Sequence, residues 1–148
     1  MTIYYDQINV GDEMPPLTTE PVTETQLVRY SGAAGDFNPI HTVPHLAEAA
    51  GLGGVIAHGM LVMGLVGRAI TDWVGVAALR QFGVRFVGIT RPGQTITVTG
   101  RVVEKLEVDG EHRLRCEVTA VDQAGELKIK GSFTAAALPL SKMSELAN

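Results

Sequence analysis

From Met60 to Trp73 the chain carries apolar residues on nearly every side of a helical projection: Met60, Leu61, Met63, Leu65, Val66, Ala69, Ile70 and Trp73, broken only by Arg68, Thr71 and Asp72. A helix apolar all round belongs in the middle of a core. The stretch from Gly59 to Gly67 ends at Arg68, well short of the ~20 apolar residues a bilayer span needs. No basic region followed by an apolar run marks Met1 to Asp6, so a cytoplasmic protein with no membrane contact is expected. After the helix the hydrophobic period changes to two. Ile96, Val98, Gly100 and Val102 alternate with polar residues, as do Leu114, Cys116, Val118 and Ala120, and then Leu127, Ile129, Gly131 and Phe133. These are three strands with one apolar face each. The joins Val108-Asp109-Gly110-Glu111 and Gln123-Ala124-Gly125-Glu126 read as hairpins, so an antiparallel meander is expected, preceded by a further strand around Phe82 to Phe86. One apolar helix and one sheet with an apolar face can bury each other if the sheet wraps the helix, which is an α+β architecture.

The 148 residues suit one core, assigned to 1–138 with a loose tail over 139–148. Pro15, Pro16 and Pro21 make the first stretch an extended lead-in. Thr23 with Gln26 three residues on is a capping box for a short helix ending near Gly32 to Gly35. Pro44 in a first turn and Gly51 beyond the end bracket a second short helix. The single cysteine, Cys116, permits no intrachain disulfide and falls on the apolar face of a strand, so it reads as a buried hydrophobe. A net charge of −4 lacks the phosphate attraction from which nucleic-acid binding starts, so no nucleic-acid partner is expected.

Between the two short helices lies Asp36-Phe37-Asn38-Pro39-Ile40-His41. Pro39 biases Asn38 away from helical angles, and Asp and Asn are turn formers, so a tight ordered loop is expected. A carboxylate and an imidazole on a rigid turn can share one water between a base and an acid, as proton transfer at carbon requires. Equally, Asp36 can cap the turn and His41 can be an ordinary histidine, and spacing alone does not decide. At Ala57-His58-Gly59-Met60 the central helix begins, and its free amides could hold an oxyanion; Gly59 could also simply relieve crowding there. His41 and His45 have the spacing of some metal pairs, but Pro44 intervenes and a third ligand is lacking, so no metal site is expected. Gly51 to Gly54 does not fit a dinucleotide fingerprint, and Asp36-x-Asn38 lacks the later ligands of a calcium loop. Arg80, Arg85 and Arg91 surround a predicted strand, where they could meet phosphates or line a solvated edge.

The run from Tyr30 to His41, followed by Ala57-His58-Gly59-Met60-Leu61, Val84-Arg85-Phe86 and Arg91-Pro92-Gly93-Gln94, resembles the MaoC-like family of (R)-specific enoyl-thioester hydratases and 3-hydroxyacyl-thioester dehydratases. Within it, Met63-Gly64 and Trp73-Val74-Gly75 add a likeness to the B-type subunits of mycobacterial fatty-acid dehydratases. The resemblance implies a hot dog fold, an antiparallel sheet curled around a long apolar helix. It implies Asp36 and His41 as the catalytic pair and the Gly59 amide as the donor to the thioester oxygen. Asn38, ordering the loop, His58 and Gly67 complete the expected substrate side, and Arg85 and Arg91 are candidates for the phosphate of the carrier. Many relatives have a serine where this chain has Gly67. No cofactor is implied. The expected substrate is an acyl-CoA or an acyl carrier protein thioester, and the expected assembly is a homodimer or higher homo-oligomer, with a heterodimer of related subunits as the other arrangement. Two competing functions remain: a non-catalytic partner subunit, and a hot dog thioesterase, which draws a carboxylate from the central helix, where only Asp72 is available.

Overall fold

The computed structural model describes residues 3–140. The apolar run forms α3 (Gly59–Val74), and its two sides have different environments. Val62, Val66, Ala69, Ile70, Trp73 and Val74 are buried, whereas Met60 is 56% exposed and Leu61, Met63 and Leu65 are only half-buried. One sheet packs against one side of the helix and leaves the other less covered, so the all-round apolar pattern exceeds what a single sheet buries. The sheet is antiparallel and five-stranded, in the order β1 (Leu17–Thr18), β3 (Ile96–Val108), β4 (Glu111–Asp122), β5 (Leu127–Ala136) and β2 (Leu79–Phe86). Ile96, Val98, Val102, Leu114, Cys116, Val118, Ala120, Ile129 and Phe133 form its buried face, and Trp73 meets Phe133 edge-on at 6.3 Å between ring centroids. Each large aliphatic or aromatic side chain buried in this way stabilises the fold by about 1.5–3 kcal/mol. This is the hot dog arrangement. Among the described residues, no helix is long and apolar enough to cross a membrane.

Local chemistry sets the joins. Asp109 (φ 53°) and Gly110 (φ 77°) both take left-handed conformations, the signature of a primed two-residue hairpin between β3 and β4. Cys116 is fully buried, and that burial pushes its thiol up to about 12, so it stays a neutral hydrophobe. One strand departs from its sequence pattern. Alternation in β5 turns Lys128 outward, yet Leu127 is exposed while Lys128 and Ile129 are both buried, next to a register shift between Ala120 and Val121. The buried Lys128 Nζ donates to the Ile89 carbonyl at 2.8 Å and lies 3.1 Å from Asp122 and 3.0 Å from Glu126. Asp122 also accepts from the amides of Ala124 and Glu126 at 2.9 Å and from Gln94 Nε2 at 2.7 Å. These bonds, led by the Glu126 amide, hold its carboxyl below the usual range. The β4–β5 turn is thereby tied to the 87–94 segment beside the start of α3.

Of the expected loose tail, 141–148 lie outside the described residues, and the Leu140 amide donates to Asp6 Oδ2 at 2.7 Å. Gly131 lies where β2 and β5 come closest: a Cβ there would stand 2.5 Å from the Gly83 carbonyl oxygen and 2.9 Å from Val84 Cγ1. Backbone cannot swing aside as a side-chain tip can. Gly131→Ala is therefore expected to lower stability by about 1–3 kcal/mol, the usual range for overpacking, read as a fall in the urea midpoint at unchanged slope.

Candidate active site

Two connecting segments meet at the N-terminal end of α3. The first leaves α1 (Glu24–Ala34), whose N-cap Thr23 accepts from the Gln26 amide at 3.1 Å and whose last turn closes at Gly35 (φ 72°), with the Gly35 amide bonded to the Ser31 carbonyl. Asp36 Oδ1 then accepts from the Asn38 amide, and Asn38 Oδ1 accepts from the Ile40 amide, both at 3.2 Å. Pro39 opens a single 3-10 turn, Pro39–His41, which leads into α2 (Pro44–Ala49). One Asp36 oxygen thus orders the turn, and the other faces His41.

The second segment, residues 55–58, runs into α3. Its Ile56 amide donates to the Ile40 carbonyl at 3.2 Å, and its Ala57 amide donates to the Thr90 carbonyl at 2.8 Å. Across this join His41 Nδ1 bonds the Ile56 carbonyl at 2.8 Å. A carbonyl only accepts, so Nδ1 carries the proton and the Nε2 of the neutral ring is an acceptor. That Nε2 lies 3.8 Å from Asp36 Oδ2, beyond a direct hydrogen bond. The Asp36 side chain is 49% exposed and that of His41 only 9%.

Behind His41 stands His58, 1% exposed, its ring stacked on the His41 ring with centroids 3.8 Å apart and planes inclined by 24°. His58 Nε2 and Ser31 Oγ are 3.0 Å apart, and the Tyr30 ring flanks His58 at 4.8 Å. Burial first, then the neighbouring His41, hold His58 below the ordinary histidine range, against the smaller opposing pull of the Asp36 backbone carbonyl and carboxylate. Next in the chain, Gly59 opens α3 on the exposed side. As the first helical residue it has an amide with no partner inside the helix, at the positive end of the helix dipole. A Cβ on Gly59 would lie 3.2 Å from the Phe86 ring, so its smallness also relieves crowding. A cavity of about 160 Å³ opens beside it, lined by Ile56, Gly59, Val62, Phe86, Thr90 and Ile129 among others.

The other expected site residues stand apart from this group. Gly67 packs against Phe82, 3.5 Å from where its Cβ would be, two turns along α3. Arg85 is exposed on β2, opposite Lys130 of β5, and alternation puts it on the sheet face away from Phe86 and α3. The Arg91 guanidinium donates to the Leu52 carbonyl at 2.6 Å, bracing the glycine-rich 51–54 segment. Arg80 is paired with Glu111, and that bond, with a second from Arg113, draws the Glu111 carboxyl down to about 2. His45 is exposed and joins no ligand cluster, so the His41/His45 spacing brings nothing together. Asp36, His41 and His58 do place three ligating atoms within 4.8 Å of one another. Two rings stacked face to face send their in-plane lone pairs along nearly parallel planes, however, and as they stand these do not converge on one ion. Sequence reasoning gave Ser31 no role. Its signal is a lone hydroxyl four residues after Leu27, on the buried side of α1.

Residues 8–124 match the family described as MaoC like domain. Over 116 residues, 72% of this chain, the sequence is 33% identical to 3-hydroxyacyl-thioester dehydratase Y of Mycobacterium tuberculosis, a match covering 40% of that protein. Over 81 residues, 53% of this chain, it is 37% identical to enoyl-CoA hydratase ChsH3 of the same organism, covering 28% of that protein. The chain thus spans less than half the length of either relative. In three dimensions it is similar to R-hydratase PhaJ1 from Pseudomonas aeruginosa, with a TM-score of 0.81 at 26% identity, covering 93% of this chain and 87% of that one.

The hydrogen bond to Ile56 makes a spectroscopic prediction independent of any reaction. At a pH where the ring is neutral, ¹⁵N–¹H correlation spectra of histidine-labelled protein should show His41 as the Nδ1–H tautomer, the less common form of a free imidazole. An Nε2–H tautomer would mean that the bond to the Ile56 carbonyl is not made.

Proposed function

Because the chain belongs to the MaoC-like domain family, we propose that it catalyses the reversible hydration of enoyl thioesters, and the reverse dehydration of 3-hydroxyacyl thioesters, with Asp36 and His41 as the reacting pair. The observation that carries this reading is the 3.8 Å spacing of two acceptors, Asp36 Oδ2 and His41 Nε2, beside an open helix N-terminus. A water oxygen about 2.8 Å from each would donate one proton to each and keep its lone pairs for the substrate. In hydration the water oxygen bonds to C3 of the enoyl thioester as one of its protons passes to the pair. The displaced π electrons move onto the thioester oxygen, where the Gly59 amide stabilises the enolate. C2 then takes a proton from the pair, and the pair returns to its starting state. Positioned acid–base groups of this kind are worth about 100- to 10,000-fold in rate, and one oxyanion donor about 100- to 1000-fold.

A thioesterase would need a carboxylate from α3. Asp72 is 13 residues beyond Gly59, about 20 Å along the axis at ~1.5 Å per residue, and it pairs with Arg68 at 3.5 Å. A partner subunit without activity would have no use for the aligned pair. The acyl-CoA or acyl carrier protein thioester is the proposed substrate class. The proposed assembly is a homodimer or higher homo-oligomer, and two features support it. Among the described residues β2 pairs only with β5, leaving an open edge, and Met60, Phe86, Val87 and Ile89 are exposed near it and the cavity.

With crotonyl-CoA and longer enoyl-CoAs as substrates, Asp36→Asn and His41→Ala should each lower kcat by about 100- to 10,000-fold while the circular dichroism spectrum is retained. Full activity in both variants overturns the assignment, and thioester cleavage without hydration replaces it with hydrolysis. The amide can be tested by itself. Proline is accepted at the first helical position, and His58 already holds the extended angles (φ −60°, ψ 131°) that precede a proline. Gly59→Pro removes the N–H and should cost about 100- to 1000-fold more in kcat than Gly59→Ala, which keeps it and still adds a Cβ beside Phe86. Equal losses in the two would leave the amide without a part in the reaction.

A further inference from the structure

We propose that His58 is a positioning residue for the Asp36–His41 pair: held by Ser31 and stacked on the inner face of His41, its ring fixes the plane in which His41 Nε2 faces the Asp36 carboxylate. The inference rests on the reading of Asp36 and His41 given above. It starts from a mismatch between position and use. His58 is the N-cap of α3, a place favoured by Ser, Thr, Asp and Asn because their side chains bond the first helical amides, yet its side chain makes no capping bond. It is instead 1% exposed, and Nδ1 makes no well-formed hydrogen bond, the Asp36 backbone carbonyl near the ring notwithstanding. Burying an imidazole with one nitrogen unsatisfied is costly, and nothing in the capping of α3 offsets that cost.

The geometry around His41 supplies the reason. The bond from Nδ1 to the Ile56 carbonyl, 2.8 Å long, sets the direction of one nitrogen but leaves the ring free to turn about that bond. Turning would swing Nε2 away from Asp36 Oδ2. The His58 ring lies against one face of His41 at 3.8 Å between centroids and closes that motion. His58 is itself fixed from two sides, by Ser31 Oγ at 3.0 Å and by the Tyr30 ring at 4.8 Å, both from α1. The groups that face it are therefore His41 from the 3-10 turn, the Asp36 carboxylate and backbone carbonyl from the loop, and Tyr30 and Ser31 from α1. Only the Asp36 carboxylate among them is a fixed charge, and the stacked rings do not both carry a proton at so short a distance. Of the two, His58 is the ring that its surroundings keep neutral. Burial of His58, which holds it below the usual histidine range, acts in the same direction.

The test uses His58→Ala, which opens the inner face of His41, and His58→Phe, which keeps a ring there, both measured with crotonyl-CoA alongside Asp36→Asn and His41→Ala. In His58→Ala, kcat should fall by about 10- to 100-fold, the scale of a misplaced reacting group, with KM within about threefold of wild type. The His41 Nδ1–H signal, which reports the bond to the Ile56 carbonyl, should broaden or split in ¹⁵N–¹H spectra as the ring gains a second orientation. His58→Phe should lose less kcat and keep a single sharp His41 signal. If His58→Ala is not folded, the Phe variant is compared with Ser31→Ala, which frees the His58 ring and should lower kcat in the same direction. Wild-type kcat with a wild-type His41 Nδ1–H signal in the folded variants overturns the proposal. A loss confined to KM with that signal unchanged overturns it as well. If Asp36→Asn and His41→Ala are themselves fully active, it is the reading of the pair that fails, and the two failures are told apart.

Discussion

One side of α3 is buried against a single antiparallel sheet and the other is not, and the arrangement of the site depends on this asymmetry. Val62, Val66, Ala69, Ile70 and Trp73 are its buried side and fix the helix against the sheet, which sets both its height over the sheet and its rotation. Gly59, at its start, then emerges on the exposed side, where the proposed function needs its amide. An apolar side left half-open by the same constraint lies next to the edge of β2 that no other described strand covers, and the second copy proposed above would bury both.

The proposed reacting pair is carried by turns, and hydrogen bonds between the turns fix its geometry. The Ile40 carbonyl takes the Ile56 amide, and the Ile56 carbonyl takes His41 Nδ1, so the loop holding Asp36 and the segment leading into α3 are joined in both directions. The Ala57 amide continues this join to Thr90, while Lys128 holds the neighbouring Ile89 carbonyl. Asp36 adds economy of a different kind: its Oδ1 orders the turn and its Oδ2 faces His41, so the side chain that would react is also the one that stiffens its own loop.

Features set by local chemistry were legible in the sequence, and those set by long-range packing were not. The Thr23 cap, the primed hairpin at Asp109-Gly110, the alternating strands and the turn around Pro39 all follow from the properties of residues close in sequence, and the structure has each of them. The inward Lys128 follows from a register shift and from partners on the 87–94 segment, so the two-residue period pointed it the wrong way. The apolar all-round pattern of α3 could not say which side lacks cover. In the site, Asp36, His41 and Gly59 carried a local signal or a resemblance, but the anchor of His41 is a backbone carbonyl, and a carbonyl has no residue-type signature. The stacking of His58 on His41 joins residues 17 apart through two turns, which spacing cannot foretell.

Exposure decreases stepwise across the three polar side chains, from Asp36 at 49% through His41 at 9% to His58 at 1%, and this gradient matches the tasks proposed for them. In the proposed reaction a group that trades protons with substrate and solvent needs access to both, and Asp36 has the exposure for it. Whichever of the two is formally the base, His41 would need an oriented lone pair, and its near-complete burial limits the waters that compete for it. A residue that only supports gains from complete burial, because an imidazole kept neutral there presents a rigid face without adding a second charge to the pair. The same gradient makes the cluster a poor ion cage despite its compactness: coordination asks ligands to converge from several directions, whereas here the side chains are layered one behind another, each fixing the one in front.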